Sequence, residues 1–260
     1  MFIFRTIHAQ NQKLVMQVLW VDYDNDGDMD LFTTSLFEGN DLYRNNGNFV
    51  FENVNFISGL SALFNPMKSY GASFGDIDND GWLDFYIVNR ESNGSSPNLL
   101  FKSNGDGTFD EITSSTGTGE STKYQFCSTF FDINNDNLQD IFIANDKCIS
   151  GGNTLFKNMG GLSFENISAE AGIDLCLSAM CVTVGDYNND GFSDVYLTNS
   201  PPGSFGGQGG YTAEFGNKLL LNNGDETFSE VADIVDGSYI LNLRMESTVY
   251  TTSVVILRDR

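Results

Sequence analysis

The stretch Tyr70-Gly-Ala-Ser-Phe-Gly-Asp-Ile-Asp-Asn-Asp-Gly-Trp-Leu-Asp84 decides how the chain is read. Its last nine residues carry Asp at positions one, three, five and nine and Gly at position six. Short apolar runs flank the loop, Ala72-Ser-Phe74 before it and Phe85-Tyr-Ile-Val88 after it. The pattern occurs three more times: Asp22-Tyr-Asp-Asn-Asp-Gly-Asp-Met-Asp30, Asp132-Ile-Asn-Asn-Asp-Asn-Leu-Gln-Asp140 and Asp186-Tyr-Asn-Asn-Asp-Gly-Phe-Ser-Asp194. The four loops start 54, 56 and 54 residues apart. A fixed period of this length marks a tandem array of like units.

The flanks repeat as well. Val18-Leu-Trp-Val21, Thr129-Phe-Phe131 and Val182-Thr-Val184 precede the other loops; Leu31-Phe-Thr33, Ile141-Phe-Ile-Ala144 and Val195-Tyr-Leu-Thr198 follow them. Next comes an Asn/Gly-tipped hairpin: Leu42 to Phe51, Leu100 to Phe109, Leu155 to Phe164 and Leu220 to Phe228. Short β-rich runs bounded by Gly, Asn and Asp read as strands and hairpins, and no stretch keeps a helical period. Each unit thus holds four strands, and tandem four-stranded units are the blades of a β-propeller. The fold expected is all-β, a single domain over 1–260, with repeats at about 14–67, 68–123, 124–177 and 178–231.

At this period 260 residues make about 4.8 repeats. Either the ring closes with about five blades, or the chain is a fragment of a larger propeller. For closure, the last blade would come from 232–260 plus 1–13. Phe4-Arg-Thr-Ile-His-Ala9 is similar to the fourth-strand segment Phe164-Glu-Asn-Ile-Ser-Ala169, and Ser238–Leu243, Val249–Thr251 and Val254–Leu257 would supply three strands.

Lys and Arg number 13 against 35 Asp and Glu, a formal net charge of −22. That balance argues against nucleic acid and against an anionic membrane surface, both of which need clustered basic residues. No apolar run approaches the ~20 residues of a membrane-spanning helix.

Acidic residues are concentrated in the loops, which hold five, four, three and three of them in order. Side-chain oxygens at alternate positions of a tight loop converge on one point. Position six must turn with positive φ, which Gly does freely and Asn next best. Hard oxygen ligands with no His or Cys among them select Ca²⁺ over transition metals. The expected ligand sets are Asp22, Asp24, Asp26 and Asp30; Asp76, Asp78, Asp80 and Asp84; Asp132, Asn134, Asp136 and Asp140; and Asp186, Asn188, Asp190 and Asp194. The backbone carbonyl of position seven (Asp28, Trp82, Leu138, Phe192) would complete each shell. Up to four Ca²⁺ ions are expected, more weakly held in the third and fourth loops. An EF-hand would need Glu at position twelve and flanking helices; here position twelve is Thr33, Ile87, Ile143 or Leu197. Ordinary Asx turns without metal would leave several carboxylates repelling one another in each loop.

The unit Tyr70–Asp84 resembles the FG-GAP repeat of integrin α-subunit propellers and of VCBS-type secreted proteins. The resemblance covers about 14–231. It implies a Ca²⁺-bearing propeller, extracellular or at the cell surface, used for adhesion or binding. It also implies that the ions are structural and lie on the face opposite the ligand-binding loops.

The cysteines are Cys127, Cys148, Cys176 and Cys181. Their even number suits disulfides in an oxidising compartment. Cys148–Cys176 with Cys127–Cys181 is the favoured pairing of the three that four cysteines allow, and free buried thiols are the alternative. Asn93-Gly-Ser95 and Asn166-Ile-Ser168 are glycosylation sequons. The Gly-rich insertion 201–215 carries Phe205, Tyr211 and Phe215, a candidate ligand loop for a protein or glycan partner; a flexible spacer is the equal alternative. No secretion signal is evident at Met1-Phe-Ile-Phe4. His8 is the only histidine; no catalytic triad can be built around it, and the carboxylate-dense segments are the metal loops. The expected function is a calcium-stabilised extracellular binding or adhesion module. Alternatives are a self-associating subunit of a surface layer or filament and, more remotely, a secreted hydrolytic or carbohydrate-active enzyme.

Overall fold

A computed structural model describes residues 14–48, 50–61, 68–90, 97–121, 123–146, 151–200 and 216–231, together with the backbone of 237–245 and 248–256. The chain is all-β. Four antiparallel four-stranded sheets follow one another: β1 (Val15–Val21), β2 (Asp30–Ser35), β3 (Asp41–Asn45), β4 (Phe51–Asn53); β5 (Ser69–Gly75), β6 (Asp84–Asn89), β7 (Leu99–Ser103), β8 (Phe109–Glu111); β9 (Gln125–Phe131), β10 (Asp140–Asn145), β11 (Thr154–Asn158), β12 (Phe164–Asn166); and β13 (Ala179–Gly185), β14 (Asp194–Asn199), β15 (Lys218–Asn222), β16 (Phe228–Glu230). One helical turn, α1 (Thr113–Thr116), follows β8. In each sheet the strands pair in chain order, as in propeller blades.

The second strands of the middle blades, β6 and β10, are apolar almost throughout for a structural reason. Successive side chains of a strand point to opposite faces, and both faces are covered. In β6, Phe85 and Ile87 enter a core shared with the first blade, beside Phe32, Leu42 and Leu60. Tyr86 and Val88 enter a core shared with the third blade, beside Ile141 and Ile143. In β10 the alternation continues, with Phe142 and Ala144 facing the fourth blade beside Val195 and Leu197. The apolar cores therefore lie between blades. Phe85 stacks on Phe101 with centroids 4.5 Å apart and meets Phe32 at 5.5 Å.

The first strands of neighbouring blades approach closely, and glycine permits it. A Cβ on Gly75 would lie 2.7 Å from Cγ of Phe130 in β9, and one on Gly71 would lie 2.8 Å from the carbonyl of Phe126. Polar contacts also cross the junctions: the Ala72 amide donates to Gln17 Oε1 at 2.6 Å, and the Ser73 and Ser128 hydroxyls meet at 2.9 Å. On the side away from the β1–β2 type loops, Arg90 pairs with Asp146 at 2.6 Å and lies over the rings of Tyr70, Tyr124 and Phe126.

The tail differs from expectation. Residues 249–251 and 254–257 were read as two strands, but Thr248–Ile256 is one continuous strand, β18, paired along its length with β17 (Gly237–Met245). Run on run of β-branched residues with no Gly or Pro between them leaves nothing to break it. Residues 1–13, on which the closing-blade expectation depends, lie outside the described residues, as does His8.

Gly75→Ala is expected to destabilise the protein by about 1–3 kcal/mol, because the junction is already filled. Gly185 holds the same place in the fourth blade, where a Cβ meets nothing within 4 Å. Gly185→Ala should be neutral or slightly stabilising. Paired thermal melts check the contrast.

Candidate metal centres

Each acidic loop joins the first and second strands of its blade and folds on its own carboxylates. In the first loop, Asp22 accepts the amides of Asp26 and Gly27 on separate oxygens, both at 3.1 Å, and Asp26 Oδ1 accepts the amide of Asp28 at 2.8 Å. The second loop repeats this with Asp76 on Asp80 and Gly81, and Asp80 on Trp82. The third repeats it with Asp132 on Asp136 and Asn137, and the fourth with Asp186 on Asp190 and Gly191. Position six turns as expected, with φ of 89°, 87°, 66° and 91° at Gly27, Gly81, Asn137 and Gly191.

Position nine is a buried anchor. Asp30, Asp84, Asp140 and Asp194 are at most 1% exposed. One oxygen of each accepts the amide of loop position two (Tyr23, Ile77, Ile133, Tyr187). The other accepts an amide at the end of the third strand (Asn45, Ser103, Asn158, Asn222), at 2.7–2.8 Å. Burial pushes the carboxyls of Asp30 and Asp84 up to about 6 and that of Asp140 up to about 7, against the two amide bonds that hold each one down.

Positions one, three and nine converge. In Asp22, Asp24 and Asp30, and in Asp76, Asp78 and Asp84, one oxygen from each residue lies within 4.8 Å of the others. Asp24 Oδ1 and Asp78 Oδ1 are buried without any hydrogen-bond partner. A buried, unpartnered carboxylate oxygen is costly, and burial, with the Asp26 charge behind it, raises the Asp24 carboxyl. These are the features a hard cation would relieve, so the residues present fit Ca²⁺. Asp26 and Asp80, expected in the same sets, do not join the converging trios: each spends Oδ1 on the amide of position seven, and Asp80 Oδ2 meets Lys102 Nζ at 2.7 Å. Asn134 and Asn188 hold the third position in the other two loops, where each Oδ1 accepts the position-five amide.

Two features escaped the sequence reading. Position four is Asn in every loop, with φ of 55–61°. The side chains of Asn25, Asn79 and Asn135 donate to the position-six carbonyls of the next blade, Gly81, Asn137 and Gly191, at 2.8–3.0 Å. The recurrence of Asn there was in plain view. Lys102 was less visible: its Nζ bridges Asp78 and Asp80 at 2.7 Å each, from the third strand.

Of the other candidate residues, Asn166 is exposed in β12, and its Oδ1 accepts the Ser168 amide at 3.1 Å. Cys127 and Cys181 lie on neighbouring strands β9 and β13, but in place of the favoured disulfide they stand as free thiols. A hydrogen bond links them, a longer separation than a ~2.05 Å S–S bond. That contact, with burial behind it, pushes the Cys127 thiol up. Cys148, Asn93, Phe205, Tyr211 and Phe215 lie outside the described residues. Among the described residues no helix is long and apolar enough to cross a membrane.

The FG-GAP-like repeat family matches residues 22–87, 76–143 and 132–197, each match running from one acidic loop to just past the next. Over 132 residues the chain is 30% identical to cartilage acidic protein 1 of Xenopus tropicalis. That alignment covers 50% of this chain and 19% of the relative, so the chain matches about a fifth of that protein's length.

The buried carboxyls of Asp30, Asp84 and Asp140 give a pH dependence with a definite sign. Their folded pKa is raised above the ordinary carboxylate value of 3.8, so the stability tied to their protonated form is complete below about 4. It is lost as pH rises through about 6 to 7. In EDTA, the melting temperature should rise as pH falls from 7.5 to 5. A cation held at the same carboxylates would compete with those protons, so any increment that Ca²⁺ adds should shrink over the same range.

Proposed function

Because the chain belongs to the FG-GAP-like repeat family, we propose that it is a calcium-stabilised extracellular binding or adhesion module whose ions are structural. The observation that carries the calcium reading is the pair of buried, unpartnered oxygens, Asp24 Oδ1 and Asp78 Oδ1, each within a trio of converging carboxylates. Ca²⁺ in these loops would offset the repulsion among carboxylates and lock each loop to its third strand. The oxygens of positions one, three and nine would hold the ion, joined by position five and the carbonyl of position seven. Up to four ions fit this reading.

The loops and the Asn/Gly hairpins share one end of the blades, and the β2–β3 type connections lie at the other. Recognition of a protein or glycan is assigned to those connections, including 201–215. No helix long enough to span a membrane occurs among the described residues, and the cartilage relative is in keeping with an extracellular setting. A Cys148–Cys176 disulfide and glycans at Asn93 and Asn166 belong to the same reading; Cys176 is not among the free thiols. Self-association is the second reading, favoured by the exposed apolar side chains of the first strand, Val15, Val18 and Trp20.

Two measurements test this. Light scattering on a sizing column in Ca²⁺ and in EDTA should give a compact monomer that expands without calcium; uniform large assemblies would favour the second reading. Calorimetric titration should count the ions, and Asp24→Ala and Asp78→Ala should each remove one. Saturation at a hundred times Kd is worth about 2.7 kcal/mol per ion, so each variant should lose a large part of the calcium-dependent rise in melting temperature. In EDTA the same variants should be no less stable than the parent, since the unpaired buried oxygen is gone. A parent protein that melts identically in Ca²⁺ and EDTA would overturn the calcium reading.

A further inference from the structure

The outer atom of loop position three is held differently in the second, third and fourth blades, and the differences follow the chemistry of the residue there. In the second loop Asp78 turns Oδ1 inward, and its outer Oδ2 accepts from Lys102 Nζ. In the third loop the residue is Asn134. An amide that presents its oxygen inward presents an N–H₂ outward, which needs an acceptor rather than a lysine. That acceptor is Glu226, 92 residues away in the hairpin of the fourth blade: Asn134 Nδ2 donates to Glu226 Oε1 at 3.0 Å. Lys157, which occupies the place of Lys102 in its own blade, pairs with the same Glu226 oxygen. A Lys–Asp contact in the second blade has become a Lys–Glu–Asn relay across the junction in the third.

Position 226 is suited to reach that loop. The matching residues in the earlier hairpins lean on the preceding blade as well: a Cβ on Gly107 would lie 4.0 Å from Tyr23 Cε2 of the first loop, and Leu162 packs on the core that contains Ile77 of the second. Glu226 holds φ at 69°, a conformation that Gly107 adopts at 84° without strain. In the fourth loop Asn188 Nδ2 instead donates to Asp190 Oδ2 at 2.7 Å, a carboxylate of its own loop, and among the described residues no residue of another blade takes the place of Glu226.

We propose that Glu226 is a positioning residue of the third loop. It holds the Asn134 amide with Oδ1 facing the ion position, and thereby makes calcium binding at that loop depend on the docking of the fourth blade. The proposal rests on the calcium reading above. It also separates two loops that count the same number of acids: the third should bind more tightly than the fourth.

Hydrogen–deuterium exchange with peptide resolution, across a Ca²⁺ titration of the full chain, reads each loop separately. Loss of a partner that orients a metal ligand typically costs 10–100-fold in affinity. Glu226→Gly should therefore raise the calcium midpoint of peptides covering 132–140 about tenfold and leave that of 76–84 unchanged. Its melting temperature in EDTA should be no lower than the parent's, since glycine relieves the backbone. In an Asn134→Asp background the same change should leave the 132–140 midpoint unmoved or lower it, because a carboxylate there has no N–H to donate and repels Glu226. An unchanged 132–140 midpoint while 76–84 still takes calcium would overturn the proposal. So would an equal loss in both backgrounds, which would make Glu226 a general source of charge. Absence of calcium protection in every loop would overturn the calcium reading itself.

Discussion

The structure depends on a carboxylate buried at the ninth position of each loop. Asp30, Asp84, Asp140 and Asp194 each hold two amides, one from the loop and one from the end of the third strand. That bridge fixes the distance between the loop and the hairpin, and so the register of three strands at once. Burying a carboxylate costs several kcal/mol, and two charge-assisted amide bonds return roughly 1.5–3 kcal/mol each. The balance is close, and a cation beside the same oxygen would tip it. One residue thus ties strand geometry to metal chemistry.

From that anchor the blades are joined by polar contacts at the loop end and by apolar packing along their faces. Asn158 Nδ2 donates to the Ile77 carbonyl and Asn222 Nδ2 to the Ile133 carbonyl, each in the preceding blade, at 2.7–2.8 Å. The position-four asparagines of the first three loops, Asn25, Asn79 and Asn135, run the other way, each to the following loop. The loops are therefore linked in series and are not independent cups. An ion that stiffens one loop stiffens the carbonyl its neighbour binds, and the Glu226 relay is the strongest case of this serial arrangement.

Much of this was legible in the sequence, for stated reasons. Positions one, six and nine recur because the loop cannot close otherwise: one accepts two amides, six needs positive φ, and nine must sit in the core. The second strands were visible as apolar runs because both of their faces are covered. What was missed depends on side-chain contacts between distant positions, most of them between blades. Position-four Asn recurs as plainly as position nine, but its role is a bond to a residue about 56 positions on, and no local pattern states that. Lys102 and Glu226 carry charge at places that vary between repeats, so they do not stand out from a solvated surface. Cys127 and Cys181 were paired with each other, but sequence spacing does not tell two neighbouring thiols from a bond between them. The tail was divided at Ser253, a weak breaker that a long hairpin pairs through.

The charge pattern gives the last step. Fifteen of the 35 acidic residues fall within 36 positions of the four loops. The first loop, the most acidic, has Arg44 at the third-strand place; the second and third have Lys102 and Lys157 there; the fourth has Leu221. Cationic support is thus graded along the chain. A lysine that bridges two carboxylates from outside lowers their mutual repulsion without occupying the inward oxygen, as Asp78 shows, so it prepares a loop for a divalent ion at the expense of part of the attraction for it. Among the described residues only the second loop is bridged in this way: Arg44 beside the first pairs with Glu52, and Lys157 beside the third pairs with Glu226 of the next blade, which also holds its asparagine. The fourth has no cation at that place. On electrostatics alone it is the loop whose order should depend most steeply on calcium concentration.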